Sequence, residues 1–151
     1  MSQLTIRPAI ASDREALEAL QWRASLNNPH DRDALLANPD AIELPLQQIV
    51  DGGVFVAEQA GQIKGFAAIF QRRDGSYELD GLFVEPECCR KGVGRALVEH
   101  CAVVAQNAGA SYLHVIGNPQ AERFYSACGF QVFGTECTRF GVGLLMKKAL
   151  V

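Results

Sequence analysis

Between Gly53 and Pro86 the sequence GVFVAEQAGQIKGFAAIFQRRDGSYELDGLFVEP holds three apolar runs separated by two turn sequences, QAGQ and RDGS. Short apolar runs bounded by Gly, Asp and Ser read as strands, and turns this tight join antiparallel neighbours. The stretch is therefore predicted to be an antiparallel meander, ended by Pro86.

The flanking segments carry the other period. LTIRPA alternates and reads as a short first strand. Ser12 and Glu15 have capping-box spacing ahead of REALEAL, so a helix is expected to start there. From Leu26 to Asp40 turn residues punctuate a polar stretch (NNPHDRD, NPD) that gives no clear element. AIELPLQQIV reads as a helix with Pro45 near its first turn or breaking it. Beyond the meander, Val93, Ala96, Leu97, Cys101, Val104, Ala105 and Ala108 fall at helical spacing, with Gly109 as C-terminal cap. SYLHVIG is a strand. Asn118 and Pro119 form an N-cap and first-turn pair for a short helix striped by Ala121, Phe124, Tyr125 and Cys128 and closed by Gly129. FQVFGTE and RFGVGLLMKK complete the chain as strands. No linker, repeat or low-complexity segment interrupts this order, and one mixed α/β domain over residues 1–151 accounts for it.

Composition narrows the function. The 151 residues are 48% hydrophobic and 21% charged, enough to bury a core. No apolar run approaches membrane-spanning length, and MSQLTIRPAI lacks the order of a signal peptide, so the chain is read as soluble and cytoplasmic. Fourteen Lys and Arg against seventeen Asp and Glu give a net charge of -3 without a dense basic patch. Nucleic acid is not an expected partner. The five cysteines are odd in number and no pair has C-x₂-C spacing. Free thiols in a reducing compartment and no metal are expected.

The segment CCRKGVGRALVEH joins a strand to a helix, with Gly92 and Gly94 at the junction and Arg90, Lys91 and Arg95 around them. Glycine lets a ligand approach the backbone, and the first amides of a helix have no partner of their own, so an anion site fits here. A solvated glycine turn fits as well. A P-loop is excluded by the missing G-x-x-x-x-G-K-[ST], and a dinucleotide fingerprint by Leu97.

LFVEPECCRKGVGRAL resembles the acyl-coenzyme A loop of the GCN5-related N-acetyltransferases, [Q/R]-x-x-G-x-[G/A] after a strand of the type LFVxP. Lys91, Gly92, Val93 and Gly94 match; Cys89 stands where the family has Gln or Arg. NPQAERFYSACGF is similar to the family's N-x-x-A-x-x-F-Y-x-x-x-G-F at Asn118, Ala121, Phe124, Tyr125, Gly129 and Phe130. With the order of elements, the resemblance covers essentially the whole chain. It implies a mixed, mostly antiparallel central sheet of six or seven strands flanked by about four helices. Backbone N–H groups do most of the holding in such a loop, so Cys89 is acceptable where Arg90 or Lys91 supplies the lost contact. Cys88 and Cys89 are then bystanders, although a thiol beside basic residues and a helix N-terminus also suits a redox or acylation role.

Alternation along YELDGLFV places Glu78, Asp80, Leu82 and Val84 on one face and Tyr77, Leu79, Gly81 and Phe83 on the other. Two carboxylates about 6–7 Å apart on one strand face suit a general base, or simply face solvent. Acyl transfer from a thioester to an amine requires the amine to lose a proton, the carbonyl oxygen to be stabilised, and the leaving thiolate to be met by a donor. The resemblance assigns these tasks. Glu78, eleven residues before Cys89, is the implied base, with Asp80 or a water chain as alternatives. The Leu82 amide polarises the carbonyl, and Leu82, Phe83 and Val84 line the pantetheine arm. Cys89, Arg90, Lys91, Gly92, Val93, Gly94 and Arg95 hold the diphosphate, Asn118 bonds the arm, and Tyr125 meets the sulfur.

Each residue also has a plainer role. Tyr125 lies on an apolar stripe, Asn118 is an N-cap, and His114 reads as a core or surface histidine. His30 sits in a loop that either is solvated or lines a substrate mouth. The Phe124–Tyr125 pair suggests that Phe124 turns inward and Tyr125 toward the cofactor. The resulting expectation is an acetyl-coenzyme A dependent transferase acting directly on a primary amine of a small molecule or peptide. The alternative is a non-catalytic acyl-coenzyme A binding module, and a redox sensor at Cys88 or Cys89 is a third. The segment Trp22 to Val50, which walls the amine site in this family, carries no interpretable motif, and both a monomer and a homodimer stay open.

Overall fold

The computed structural model describes residues 3–88, 91–138 and 141–150. Its elements run β1 (Thr5–Pro8), α1 (Arg14–Asn27), α2 (Pro29–Ala37), α3 (Leu46–Val50), β2 (Val54–Gln59), β3 (Gln62–Gln71), β4 (Tyr77–Val84), α4 (Val93–Asn107), β5 (Tyr112–Gly117), α5 (Glu122–Ala127), β6 (Gln131–Thr138) and β7 (Gly141–Ala149). The strands form a seven-stranded sheet in the order β1-β2-β3-β4-β5-β7-β6. Pairing is antiparallel for β1–β2, β2–β3, β5–β7 and β6–β7, and parallel for β4–β5. The expected meander is β2, β3 and β4. Ala60 (φ 54) and Gly61 (φ 75) are both left-handed at the β2–β3 turn, the backbone that a two-residue hairpin turn of the primed type requires.

The chain divides into two compact units, Met1–Ala68 with Gly81–Leu97, and Ile69–Asp80 with Val98–Val151. In the first, Leu17 and Leu20 of α1 pack with Val54, Val56, Phe66 and Ala68, and the Phe83 ring joins them. Arg7 ties β1 down, reaching Asp13 at 2.8 and 3.0 Å and Glu58 at 2.8 Å. That guanidinium holds the Asp13 carboxyl below its ordinary value. The start of α1 differs from expectation: Ala11–Asp13 form a 3₁₀ turn, and the Asp13 carboxylate, not a Ser12–Glu15 box, accepts the Ile10 N–H at 2.8 Å. The unread stretch after Leu26 contains α2. Asn28, whose carbonyl accepts from Asp31 and Arg32, followed by Pro29, opens it. In AIELPLQQIV, Ala41 closes a 3₁₀ turn (Pro39–Ala41) and the α-helix begins only after Pro45.

In the second unit, Leu113 and Val115 of β5, Met146 of β7 and Val98, Cys101 and Ala105 of α4 are buried. Burial pushes the Cys101 thiol up to about 12. Most of the expected α4 stripe is buried; Ala108 is exposed. Gly109 (φ 90) and Gly129 (φ 96) end α4 and α5 in the left-handed conformation. At each end the next residue donates back to the last turn, Ala110 to Ala105 and Phe130 to Tyr125, both at 3.0 Å, which satisfies carbonyls a helix end leaves open.

Candidate active site

In the first unit the glycine junction forms as the sequence suggested. Gly92 has φ +85, a backbone that favours glycine, and a Cβ added there would meet nothing within 4 Å. Its carbonyl accepts the first bond of α4, from Ala96 at 3.0 Å. The amides of Val93, Gly94 and Arg95 precede that bond, and Gly92 has no side chain with which to cap them. Lys91 and Arg95 are exposed beside them. Cys89 and Arg90 lie outside the described residues. Cys88 is buried, with its N–H donating to Glu85 at 2.8 Å.

Gly65 on β3 brings this junction to β4. A Cβ at that position would stand 2.8 Å from the Phe83 carbonyl oxygen and 3.1 Å from Cγ1 of Val93. Backbone is the nearer obstacle, so the strand or the helix start must move. Gly65→Ala should destabilise the protein by roughly 1–3 kcal/mol and weaken any ligand held at the α4 start, as denaturant unfolding and a binding titration would show. Unchanged stability would mean that the contact yields. Phe83 turns its ring onto Phe66, with centroids 5.4 Å apart, so it offers a ligand only its main chain. Leu82 and Val84 are half-buried. The β4–β5 ladder covers only Tyr77–Leu79 opposite Leu113–Val115, which leaves the Leu82–Val84 stretch outside it.

In the second unit Glu78 is half-buried and Asp80 exposed. The Glu78 carboxylate lies 3.9 Å from the Arg72 guanidinium. Its pKa is raised above the ordinary 4.5, first by burial and then by the negative charges of Asp80 and Glu136, against the pull of Arg72. The folded chain thus keeps this proton to higher pH than the unfolded chain. Stability from the group is full below the unfolded pKa and declines as pH rises through the folded one. Glu78→Gln should therefore raise Tm by roughly 1–3 °C at pH 7–8 and leave it unchanged near pH 4. Equal shifts in calorimetry at both pH values would remove the buried charge as the cause.

Asn118 caps the turn Pro119–Ala121, its Oδ1 accepting the Gln120 N–H at 2.9 Å. The chain then enters α5, where Tyr125 is 9% exposed. Tyr125 is the more buried of the Phe-Tyr pair and Phe124 is half-buried, against the expectation that Phe124 is the one turned inward. The Tyr125 ring is boxed edge-on by Phe124 (5.1 Å) and Phe130 (5.5 Å). A Cβ at Gly117 would stand 3.3 Å from it, so glycine there admits the ring. Burial, then Cys128, pushes the phenol up to about 12. Its hydroxyl makes no hydrogen bond among the described residues, and it is not one of their fully buried orphan atoms. Buried tyrosine hydroxyls usually find a partner.

Sequence reading missed two members of this surface. Arg72 reaches Glu78 from the other side of the β3–β4 turn, and His114 stands opposite Glu78 in the parallel ladder. No group of three or more His, Cys, Asp or Glu side chains is placed to hold a metal among the described residues. None of the described helices is long and apolar enough to cross a membrane.

Residues 50–132 match the acetyltransferase (GNAT) domain model. The chain belongs to the GNAT acetyltransferase family. An uncharacterized N-acetyltransferase of Mycobacterium tuberculosis is 30% identical over 91 residues, 58% of each chain, so this chain spans little more than half the length of that relative. The peptidyl-lysine N-acetyltransferase YjaB of Salmonella typhimurium is 28% identical over 132 residues, 87% of this chain and 86% of that one. Among solved structures, the PaiA N-acetyltransferase of Thermoplasma acidophilum in complex with coenzyme A superposes with a TM-score of 0.78 at 20% identity, over 97% of this chain and 99% of that one. The seven-stranded, mostly antiparallel sheet is the GNAT fold, with five helices described where about four were expected.

Proposed function

We propose that this GNAT protein moves the acetyl group of acetyl-coenzyme A directly onto a primary amine. The observation that supports this reading is the Tyr125 ring, held by Phe124, Phe130 and Gly117, whose hydroxyl has no hydrogen-bond partner among the described residues and is not sealed off as a fully buried atom. A leaving thiolate is the partner such a donor suits.

The amides at the start of α4, with Lys91 and Arg95 and, by resemblance, Cys89 and Arg90, take the diphosphate. The main chain of Leu82, Phe83 and Val84 lies along the pantetheine arm, and the Leu82 amide polarises the thioester carbonyl. Asn118, whose Oδ1 accepts from Gln120, bonds the same arm by resemblance. Glu78 removes the amine proton; the raised pKa moves this carboxylate toward the range a base needs near neutrality. Nitrogen then bonds to the acyl carbon as the carbon–sulfur bond breaks. A phenol near 12 is a weaker acid than a thiol near 8.5, so Tyr125 stabilises the departing sulfur by a hydrogen bond and solvent completes its protonation.

The acceptor we infer is a cationic primary amine, peptide lysine included. Asp80 and Glu136 add negative charge around Glu78, and YjaB is named for lysine acetylation. Free thiols at Cys88, Cys101, Cys128 and Cys137 suit the cytoplasm. Thiol release from acetyl-coenzyme A across a panel of amines and lysine peptides tests the proposal. Release with cationic primary amines is expected. Thermal stabilisation by acetyl-coenzyme A without thiol release on any amine would make the protein a binding module instead.

A further inference from the structure

Lys148 stands on the face of β7 that carries the Tyr125 ring. It is two residues from Met146 and so shares its face, and a Cβ added at Gly117 would meet both the Tyr125 ring, at 3.3 Å, and Met146 Sδ, at 3.5 Å. Its ladder partner on β5 is Leu113, which is fully buried, as is Met146. A half-buried cation among such neighbours is costly unless it is hydrogen-bonded. The Lys148 ammonium donates to the Cys128 carbonyl at 2.6 Å, and Cys128 is the C-terminal cap of α5. A lysine on the last carbonyls of a helix makes a charge-assisted bond there and faces the negative end of the helix. Gly129 opens the way to it: with φ +96, a Cβ at this position would stand 2.6 Å from Lys148 Nζ.

We propose that Lys148 is a positioning residue for the Tyr125 hydroxyl, the cation that pins the end of α5 to β7. This rests on the proposed role of Tyr125 in acetyl transfer. With only six residues, α5 is too short to keep its place without outside contacts. Tyr125 is joined directly to the pinned end: its carbonyl accepts from Cys128 and from Phe130, both at 3.0 Å, and its ring packs on that of Phe130, centroids 5.5 Å apart. The ring contacts with Phe124, Phe130 and Gly117 are apolar, and apolar burial has no preferred direction. The Lys148 bond is directional, so it fixes where the helix end stands along the strand. A hydroxyl that must meet a departing sulfur depends on that placement, since a displacement of about 1 Å is enough to cost a large part of its effect.

The test combines a rate with a signal that needs no turnover. Lys148→Met keeps the apolar stem and removes the donor. It should lower kcat about tenfold, change KM for acetyl-coenzyme A by less than about threefold, and cost nothing more in the Tyr125→Phe background. Lys148→Arg, which retains a cationic donor, should restore most of the rate. Gly129→Asn should repeat the Lys148→Met loss, because asparagine accepts the left-handed backbone while its Cβ displaces the ammonium. A lowered Tm with kcat intact, or an equal loss of kcat with and without the Tyr125 hydroxyl, overturns the proposal. In the unliganded protein the NMR signal of the Tyr125 ζ carbon should move in Lys148→Met. An unmoved signal overturns the proposal whether or not any amine is acetylated, which separates its failure from that of acetyl transfer.

Discussion

Tyr125→Phe should lower kcat for acetyl transfer by about 10²-fold or more while changing coenzyme A affinity by less than about threefold. The substitution isolates one atom. Phenylalanine keeps the contacts with Phe124, Phe130 and Gly117 that hold the ring, and the hydroxyl it removes has no partner among the described residues to strand. Stability should therefore hold or rise slightly. If the tyrosine serves packing alone, rate and affinity will both stay near wild type; if it holds the cofactor, both will fall together. Only a loss confined to kcat assigns the hydroxyl to the reaction. With the phenol near 12, wild-type protein should show no fall in rate from Tyr125 ionisation anywhere below about pH 11.

Gly94→Val should abolish measurable coenzyme A binding, a loss of at least about 10²-fold. Gly94 is the second residue of α4, where a branched side chain stands in the path of a diphosphate approaching the amides. Glycine inside a helix is itself unfavourable, by about 1 kcal/mol relative to alanine, and Gly94 is half-buried, so the fold of the variant is checked beside its binding. Calorimetric titration with coenzyme A and a melt of the unliganded protein separate the outcomes. Retained binding in a folded variant would mean that the α4 start is not the anchor.

What could be read from the sequence was what short-range chemistry fixes. Two turns within ten residues of their strands defined the meander, and Gly92, Gly109 and Gly129 marked helix ends because left-handed backbone favours glycine there. Asn118–Pro119 announced a helical turn correctly. Asn28–Pro29 carries the same signal, yet the polar residues around it mask α2. The start of α1 depends on Asp13, and that side chain is placed by Arg7 of β1, so a local capping pattern points to the wrong residues.

The candidate site divides in the same way. Glu78, Asn118 and Tyr125 stand in local motifs. Which of Glu78 and Asp80 is sheltered follows from burial in the folded sheet, and strand alternation treats the two alike. The inward turn of Tyr125 follows from Gly117, eight residues away on another element. His114 is invisible as a neighbour of Glu78, because their pairing is parallel and spans the whole of α4.

The central claim is that a coenzyme A diphosphate rests on the amides that open α4. Backbone amide NMR during a titration with coenzyme A tests it most directly. The largest shifts should fall on Gly92, Val93, Gly94 and Arg95, with smaller ones along Leu82–Val84 and at Asn118. Saturating ligand that leaves the Gly92–Arg95 amides unmoved would contradict the account.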